Sequence, residues 1–582
     1  MNSIFLVALF RIFMLGSSLS VSEMEPMTQA FTKAGTNYVI SKTVDLRGRT
    51  VTIPRGCTLQ FIESGVVKNG TLVGNNTKLV AGSEDSGIFN NVILKGSWSV
   101  EDIYSQWFLK GSRGNDTQLV KNVFSLCSEE QENHVYFANE SYRIDGYDTE
   151  AKSPIIIRIP SRTYVHNAAT FHILANASSQ SFPFYFGGVT DCVWEGGRIV
   201  GDLDTHLEDR GEQGFGLALR GASNITIRDV ECVNCWGDGI NLQYGGGGKH
   251  NENIIIERVI CDNNRRQGIS IEDGRSISIR KSVFKNTGQK RGTSPKYGID
   301  IEPYYDGAVI SQILIEDCDF ENNAGGGVAC SFLKPTDSDV QIMNCRDLSG
   351  ALRINQCRIG AKNKGLTVIG YQCDNGKLKF KREVSNVRIE DSSFMSALNE
   401  TDRKDVLSDI LLKNVRLRTA ETRTWNYYCL SLICAEMKNV RFEDCFFEVL
   451  EESNLSAVLP SGGDWSGVTM VRCTLIDHRT NAFFVPCDVV ESKIDTRKAV
   501  YFTNHKNNGA MVFKENDVII RDPISQSPFL FMSAPNQRYQ ILDNTIRYKG
   551  RLNQKNLIVR HSRNKTVPST LLRGNQFIKT ND

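Results

Sequence analysis

Ten seven-residue phrases between residues 224 and 473 alternate apolar and other positions. They are NITIRDV (224), NIIIERV (253), SISIRKS (276), QILIEDC (312), DVQIMNC (339), GLTVIGY (365), NVRIEDS (386), DILLKNV (409), NVRFEDC (439) and GVTMVRC (467). Their starts lie 29, 23, 36, 27, 26, 21, 23, 30 and 28 residues apart. A period of two is that of a half-buried strand. Asn, Asp and Gly bracket the phrases as turn residues. A second family interleaves with the first: FGLALR (215–220), DGINLQ (238–243), QGISIE (267–272), YGIDIE (297–302) and GGVACS (326–331). Repeats of this length mean a solenoid, propeller or array. Propeller blades need about four strands in roughly 40–45 residues. Helical repeats need stripes of period 3.6, which the sequence lacks. Rungs of 21–36 residues with two or three short strands each predict an all-β chain, a parallel β-helix. The two phrase families are then two strand faces of one coil, with rungs about 4.8 Å apart and Ile, Leu, Val and Cys inside.

The flanks read differently. Residues 38–74 are short strands broken by Gly, Pro and Asn, which predicts a small N-terminal β module over 21–105. In NDTQLVKNVFSLCSEE (115–130), Asp116 can N-cap a helix whose apolar stripe is Leu119, Val120, Val123, Phe124 and Cys127. An open solenoid end exposes core and strand edges, so this helix is expected to cap it. The β-helix then occupies 106–582.

Composition narrows the partners. The chain has 582 residues, too many for one compact core, and 68 basic against 66 acidic residues for a net of +2. That balance gives no reason to expect nucleic acid or an anionic membrane surface. Residues 4–20 are an apolar run ending in small residues, read as a secretory signal cut after Ser20, although Arg11 interrupts it and no Lys or Arg precedes it. The mature chain is therefore expected to be secreted or periplasmic. No other stretch reaches the roughly 18 apolar residues of a membrane span. Of sixteen cysteines, Cys318, Cys345, Cys445 and Cys473 each stand five residues after the first apolar residue of a phrase. One residue type at one repeat position predicts a ladder of buried free thiols rather than disulfides. Cys232 and Cys235 form a CxxC with no second pair to complete a metal site.

WFLKGSRGNDTQLVKNVF (107–124), followed by VYFANESYRI (135–144), resembles the opening of pectate-lyase-like right-handed β-helix proteins. In those a Gly-rich turn and an Asp-Asp/Asn-Thr cap precede a helix. Here Arg113-Gly114-Asn115-Asp116 replaces the double-Asp turn, and Ala138 stands where Pro is common. The stretch 196–240 is similar to the middle of carbohydrate-active β-helix proteins. The resemblance covers most of residues 38–500 at the level of fold and implies a right-handed coil. Polygalacturonase-type glycosidases of this fold carry N-T-D-G, D-D and G-H-G on successive coils. Asp238 matches the first aspartate, but Gln267-Gly268 replaces the double Asp and Tyr297 replaces the His. Their mechanism therefore does not carry over intact.

Aligning the second family on its glycines turns Ala218, Asn241, Ser270, Asp300 and Ala329 outward, and beside them Arg220, Gln243, Glu272, Glu302 and Ser331. The polar members cluster in the three middle coils. Like charges stacked about 5 Å apart raise one pKa and call for a general acid, a bound cation or a neutralising Arg. Asp238, Glu272, Asp300 and Glu302 are the candidate acid/base set. Arg265, Arg266, His250, Gln243, Trp236, Tyr244, Tyr297, Tyr304 and His206 are the candidate substrate contacts, since aromatic faces suit sugar rings. Tyr305 flanks the same strands, and the loop with Asp202, Asp204, His206 and Glu208 could wall a groove or hold calcium. The expected function is a secreted glycoside hydrolase acting on a polysaccharide or oligosaccharide, with no cofactor required. The alternative is a polysaccharide lyase with Ca²⁺ at Glu272, Asp300 and Glu302. A third reading is a non-catalytic, spike-like glycan binder.

Overall fold

The computed structural model describes residues 18–21, 31–111, 114–332, 339–355, 365–399, 405–419, 429–432, 434–449, 464–477, 483–497, 500–502, 510–524, 530–532, 538–550, 558–559 and 570–580. The leader-like stretch lies outside the described residues as far as position 17, and Ser18–Val21 is a strand parallel to Asn37–Ile40. The chain forms two compact units. One comprises 1–145, 157–172 and 191–195; the other comprises 146–156, 173–190 and 196–582. Among the described residues, no helix is long and apolar enough to cross a membrane.

In the larger unit the two phrase families are two parallel sheets, as their alternation predicts. Ile225, Ile254, Ile277, Ile313, Val340 and Leu366 stack in one inward row, each at most 1% exposed. The second family pairs in register through Leu217↔Ile240, Ile240↔Ile269, Ile269↔Ile299, Ile299↔Val328 and Val328↔Leu352. Apolar burial along this continuous core is the main driving force for the coil.

The bracketing polar residues have a backbone cause. Asn224, Asn253, Ser276, Gln312, Asn386, Asp409 and Asn439 open their phrases with φ of 50–55°. Asp229, Asp317, Asn344, Asp391, Asn414 and Asp444 close theirs in the same left-handed region. Asn and Asp tolerate that conformation and β-branched residues do not. The glycine of the second family answers to a close approach instead. A Cβ on Gly268 would stand 2.4 Å from Gly298 O, and one on Gly298 would stand 2.9 Å from Gly327 O. Side-chain amides complete the turns: Asn264 Nδ2 donates to Cys232 O at 3.1 Å, and Asn323 Nδ2 to Phe284 O at 2.9 Å.

The cysteines form the expected ladder. Cys318, Cys345 and Cys445 each offer Sγ at 3.3 Å to the carbonyl two residues earlier, and Cys473 does so at 3.5 Å. All the described cysteines are free thiols.

In the smaller unit, Asp102–Tyr104, Asn133–Phe137 and Thr163–Asn167 stack in parallel. The helix spans Thr117–Ser125 and buries Leu119, Val120, Val123 and Phe124. Cys127 falls beyond its end. Asp116 occupies the N-cap position without capping: its Oδ2 accepts from Arg143 N at 2.9 Å. Asn115 Oδ1 takes Thr117 N at 3.0 Å instead. Asn122 reaches back to the Phe89–Ser99 strand, accepting from Leu94 N at 3.0 Å and donating to Val92 O at 2.6 Å. The helix thereby satisfies strand groups that a bare edge would expose, which is what a cap has to do.

Every described cysteine except Cys127 is buried, and burial pushes thiols such as Cys192 up to about 11. Because the thiolate is the reactive form, Ellman's reagent added to the native protein should leave the buried thiols unmodified. They should react together on denaturation. Rapid native modification of the Cys318 or Cys473 ladder would contradict this core.

Candidate functional site

Three successive rungs carry polar outward side chains, flanked by Ala218 and Ala329 in one row and by Arg220 and Ser331 in the other. Register places Ala218, Asn241, Ser270, Asp300 and Ala329 in one row. Arg220 and Gln243 begin the next row. Glu272 and Glu302 continue it, directly after the pair Ile271↔Ile301. Asp238 pairs with Gln267 at the strand starts. Apolar clusters close the patch at both ends: Phe182, Phe215 and Ala218 on one side, Tyr297, Ala329 and Ala351 on the other.

Arg266 sits among the carboxylates. Its Nη1 lies 3.2 Å from Asp238 Oδ2 and 3.3 Å from Ser270 Oγ. Its Nη2 lies 3.7 Å from Glu302 Oε2, and its Nε 3.7 Å from Glu212 Oε2. Amides also donate to the carboxylates. Asn241 Nδ2 donates to Asp238 Oδ2 at 3.1 Å and to Glu272 Oε1 at 3.2 Å. Gln243 Nε2 donates to the same Glu272 oxygen at 3.2 Å. Gln267 Nε2 donates to Asp300 Oδ2 at 2.9 Å, and its Oε1 accepts from Tyr297 N at 2.9 Å. Asp300 Oδ1 is buried with no hydrogen-bond partner.

Burial sets the protonation. It pushes Asp238 and Glu272 above the usual carboxylate range, against the lowering pull of Arg266 and the amide donors. At Asp300, burial and then the Glu302 charge carry the carboxyl well above that range. Burial would lower Arg266, but the surrounding carboxylates outweigh it and keep the guanidinium charged. Asp238 and Asp300 are 0% and 1% exposed, Glu272 8%, while the Glu302 side chain is 27% exposed. The patch therefore opens along the Glu272 and Glu302 row. Tyr305 stands at that opening, where burial and then the Glu272 charge raise its phenol. Tyr304 packs edge-on against it at 5.5 Å and is exposed.

A second group of predicted residues serves another purpose. The faces of Trp236 are covered by His206, stacked at 3.8 Å, and by the guanidiniums of Arg265 at 3.9 Å and Arg291 at 4.4 Å. Trp236, Arg265 and His206 thus form a clamp, and no face of Trp236 is left for a sugar. Arg291 Nη1 donates to Leu203 O and His206 O at 3.0 Å, and its Nη2 to Glu208 O at 2.9 Å. Arg265 donates to Asp209 O at 3.0 Å and also to Gly211 O. The two pin the 203–212 segment that brings Glu212 to Arg266. Asp202, read as a groove wall or calcium ligand, holds His206 Nδ1 at 2.8 Å and Asn176 Nδ2 at 2.9 Å. Asp204 pairs with Lys290.

The structure thus brings Asp238, Glu272, Asp300, Glu302, Arg266 and Gln243 into one patch. Tyr297 is 3% exposed and belongs to its fence. Tyr244 and His250 lie together past the end of the Asp238–Gln243 strand, rings 5.3 Å apart, with His250 Nδ1 2.8 Å from Asp273 Oδ1. Gln267, Asn241, Ser270, Glu212 and Arg291 complete the patch and its clamp. Asn241 and Ser270 were visible as outward polar positions, and Gln267 only as the residue standing in place of a double Asp. Glu212 and Arg291 come from loops that no repeat pattern indexes. Among the described residues, no three His, Cys, Asp or Glu side chains form a metal-holding group.

Residues 164–306 match the family model described as "Right handed beta helix region". With its parallel rungs, the chain is a right-handed parallel β-helix protein. It is 27% identical over 239 residues to the uncharacterized protein YclG of Bacillus subtilis (strain 168), covering 38% of this chain and 41% of that one. It is similar in fold to ORF18 of Geobacillus virus E2, at 10% identity and TM-score 0.36, over 60% of this chain and 62% of that one. It is also similar to PfbA, a surface adhesin of Streptococcus pneumoniae, at 11% identity and TM-score 0.34, over 82% and 94% of the two chains. The chain spans about two fifths of the length of the curated relatives it matches.

A carboxyl whose folded pKa exceeds its unfolded value near 3.9 contributes stability below that value and loses it as pH rises through the folded pKa. Asp300→Asn removes the buried charge and keeps an acceptor for Gln267. It should raise the thermal midpoint at about pH 7.5 by several degrees, and the gain should vanish near pH 4. Equal midpoints at both pH values would show that Asp300 is not a raised, buried carboxyl.

Proposed function

We propose that the chain is a glycoside hydrolase acting on a polysaccharide, with Asp300 as general acid and Glu272 as general base. The observation that carries this is the inequality of the two groups. Asp300 has one oxygen without a donor, the neighbouring Glu302 charge and full burial, all of which favour the protonated form. Glu272 accepts from two amides, which favours the ionised form. They stand one rung and one side-chain repeat apart, about 8 Å by strand geometry. That suits the roughly 6.5–9.5 Å gap in which an inverting glycosidase activates water. Asp238, closed off beneath Arg266 and Asn241, holds those two groups in place. Glu302, at the open edge, raises Asp300. Tyr304 and Tyr305 line the approach. The leader-like run at 4–20 supports export to a compartment where polysaccharide is met.

In this mechanism Asp300 gives its proton to the glycosidic oxygen as that bond breaks. Glu272 takes a proton from the water that attacks the anomeric carbon. Activity then requires Glu272 ionised and Asp300 protonated, giving a bell whose alkaline limb is set by Asp300.

The test is incubation with neutral and uronate polysaccharides, reading reducing ends and ultraviolet absorbance together, with and without chelator. Reducing ends without absorbance are expected, and Asp300→Asn should lower kcat by about 10²–10⁴. Absorbance lost on chelation would replace the hydrolase with a calcium-assisted lyase. Binding without turnover would replace it with a glycan binder, and an Asp300→Asn variant of full activity would remove Asp300 as the acid.

A further inference from the structure

The smaller unit carries an aromatic face that the carboxylate patch does not use. Asp102–Tyr104, Asn133–Phe137 and Thr163–Asn167 pair in register, so Tyr104, Tyr136 and His166 form one outward row, and Asp102, His134 and Tyr164 form the other. The rings stack: Tyr104 on Tyr136 at 4.9 Å and 14°, Tyr136 on His166 at 4.6 Å and 8°, Tyr164 on His166 at 4.6 Å and 21°. All five rings are half-buried. In the larger unit the outward row running through the phrase strands is Arg228, Glu257, Arg280 and Glu316. Over these four rungs the row alternates in charge before it continues through Met343 and Ile369. The smaller unit instead sets five aromatic rings side by side in its outward rows, and contiguous solvent-reaching apolar surface marks a binding site.

A groove of about 1390 Å³ runs beside these rows, lined by Tyr104, His134 and Tyr136 together with Gln60, Lys78, Glu101, Asp102, Gln131 and Glu132 among others. Its walls are fixed: Gln131 Nε2 donates to Val100 O at 2.7 Å, and Trp107 Nε1 to Gly82 O at 2.8 Å. A preformed groove needs little ordering on binding.

The chemistry selects the ligand. Because the rings cover one another's faces, ring edges and polar tips point outward. A phenol hydroxyl recurs at every rung, about 4.8 Å apart, on Tyr104, Tyr136 and Tyr164, while the imidazoles are engaged within the face: His134 Nδ1 lies 3.4 Å from His166 Nε2, and His134 Nε2 lies 3.3 Å from Glu132 Oε1. Glu101, Asp102 and Glu132 accept hydrogen bonds from hydroxyls and repel anions, and Lys78 is the one Lys or Arg among the lining residues. We infer that this groove and its aromatic rows are a second, non-catalytic binding surface for an extended, uncharged polyhydroxyl chain, a neutral polysaccharide.

The test is affinity electrophoresis of the full chain in gels cast with soluble galactomannan, xyloglucan or mixed-linkage glucan, and with polygalacturonate as the charged control. The Asp300→Asn chain should be retarded like the wild type, so the result stands apart from the hydrolase reading. Retardation is expected in at least one neutral gel and not with polygalacturonate. The double variant Tyr104→Phe/Tyr136→Phe keeps both rings and loses both hydroxyls, and should weaken binding about tenfold. Tyr136→Ala should weaken it further. Unchanged retardation in the Phe variant, retardation by polygalacturonate alone, or none in any gel would overturn the inference. So would self-association of the wild type by light scattering that the variants lose, because the face would then be a protein interface.

Discussion

In-register stacking of parallel rungs about 4.8 Å apart is the constraint on which everything else in this protein depends. Every outward or inward position becomes a row, and each row must tolerate near-repetition of one side chain. Inward rows do so with Ile, Val, Leu and small Cys thiols. Turn positions do so with Asn and Asp held at positive φ. One stretch of an outward row does so by alternating sign, through Arg228, Glu257, Arg280 and Glu316.

The carboxylate patch is where that solution is given up. Asp300, Glu272 and Glu302 crowd two adjacent rungs, with Asp238 one rung further back. One guanidinium, Arg266, faces the group, and Asn241, Gln243 and Gln267 supply the other donors. Amides stabilise a carboxylate without neutralising it, so burial still raises the acids. Concentrating like charge out of water opposes folding. Such a cluster suits a place where a proton must be held near neutral pH. Apolar fences at Phe215 and Tyr297 confine it to three rungs.

The clamp around Trp236 shows how a solenoid builds three-dimensional relief from rows. Arg265 and Arg291 bond to main-chain carbonyls of the 203–212 segment, so the loop is held by its backbone as well as by its side chains, of which Asp209 pairs with Arg291 at 2.6 Å and Glu212 accepts from Thr293 Oγ1 at 2.7 Å. His206 and Trp236 fill the space beneath. The same segment supplies Glu212 to Arg266. A loop from one rung thereby changes the electrostatics of strands two and three rungs away.

The β-helix, its two strand faces, the outward polar rows and the free-thiol ladder were legible in the sequence, because each follows from a local period that repeats. Glu272, Asp300 and Glu302 were legible for the same reason: alternation fixes which way they point, and rung spacing fixes their neighbours. Asp238, which alternation puts in phase with the inward Ile240 and Leu242, was legible only through its match to the glycosidase motif. The fates of Trp236, Arg265, His206 and Asp202 were not legible. Their partners lie on loops far along the chain, so an aromatic beside the strands looked like a sugar platform until Arg291 and His206 were seen to cover it. Nor could the inequality of the carboxylates be read from spacing. That Asp300 has one donor where Glu272 has two depends on side-chain rotamers and burial, which only the tertiary structure decides.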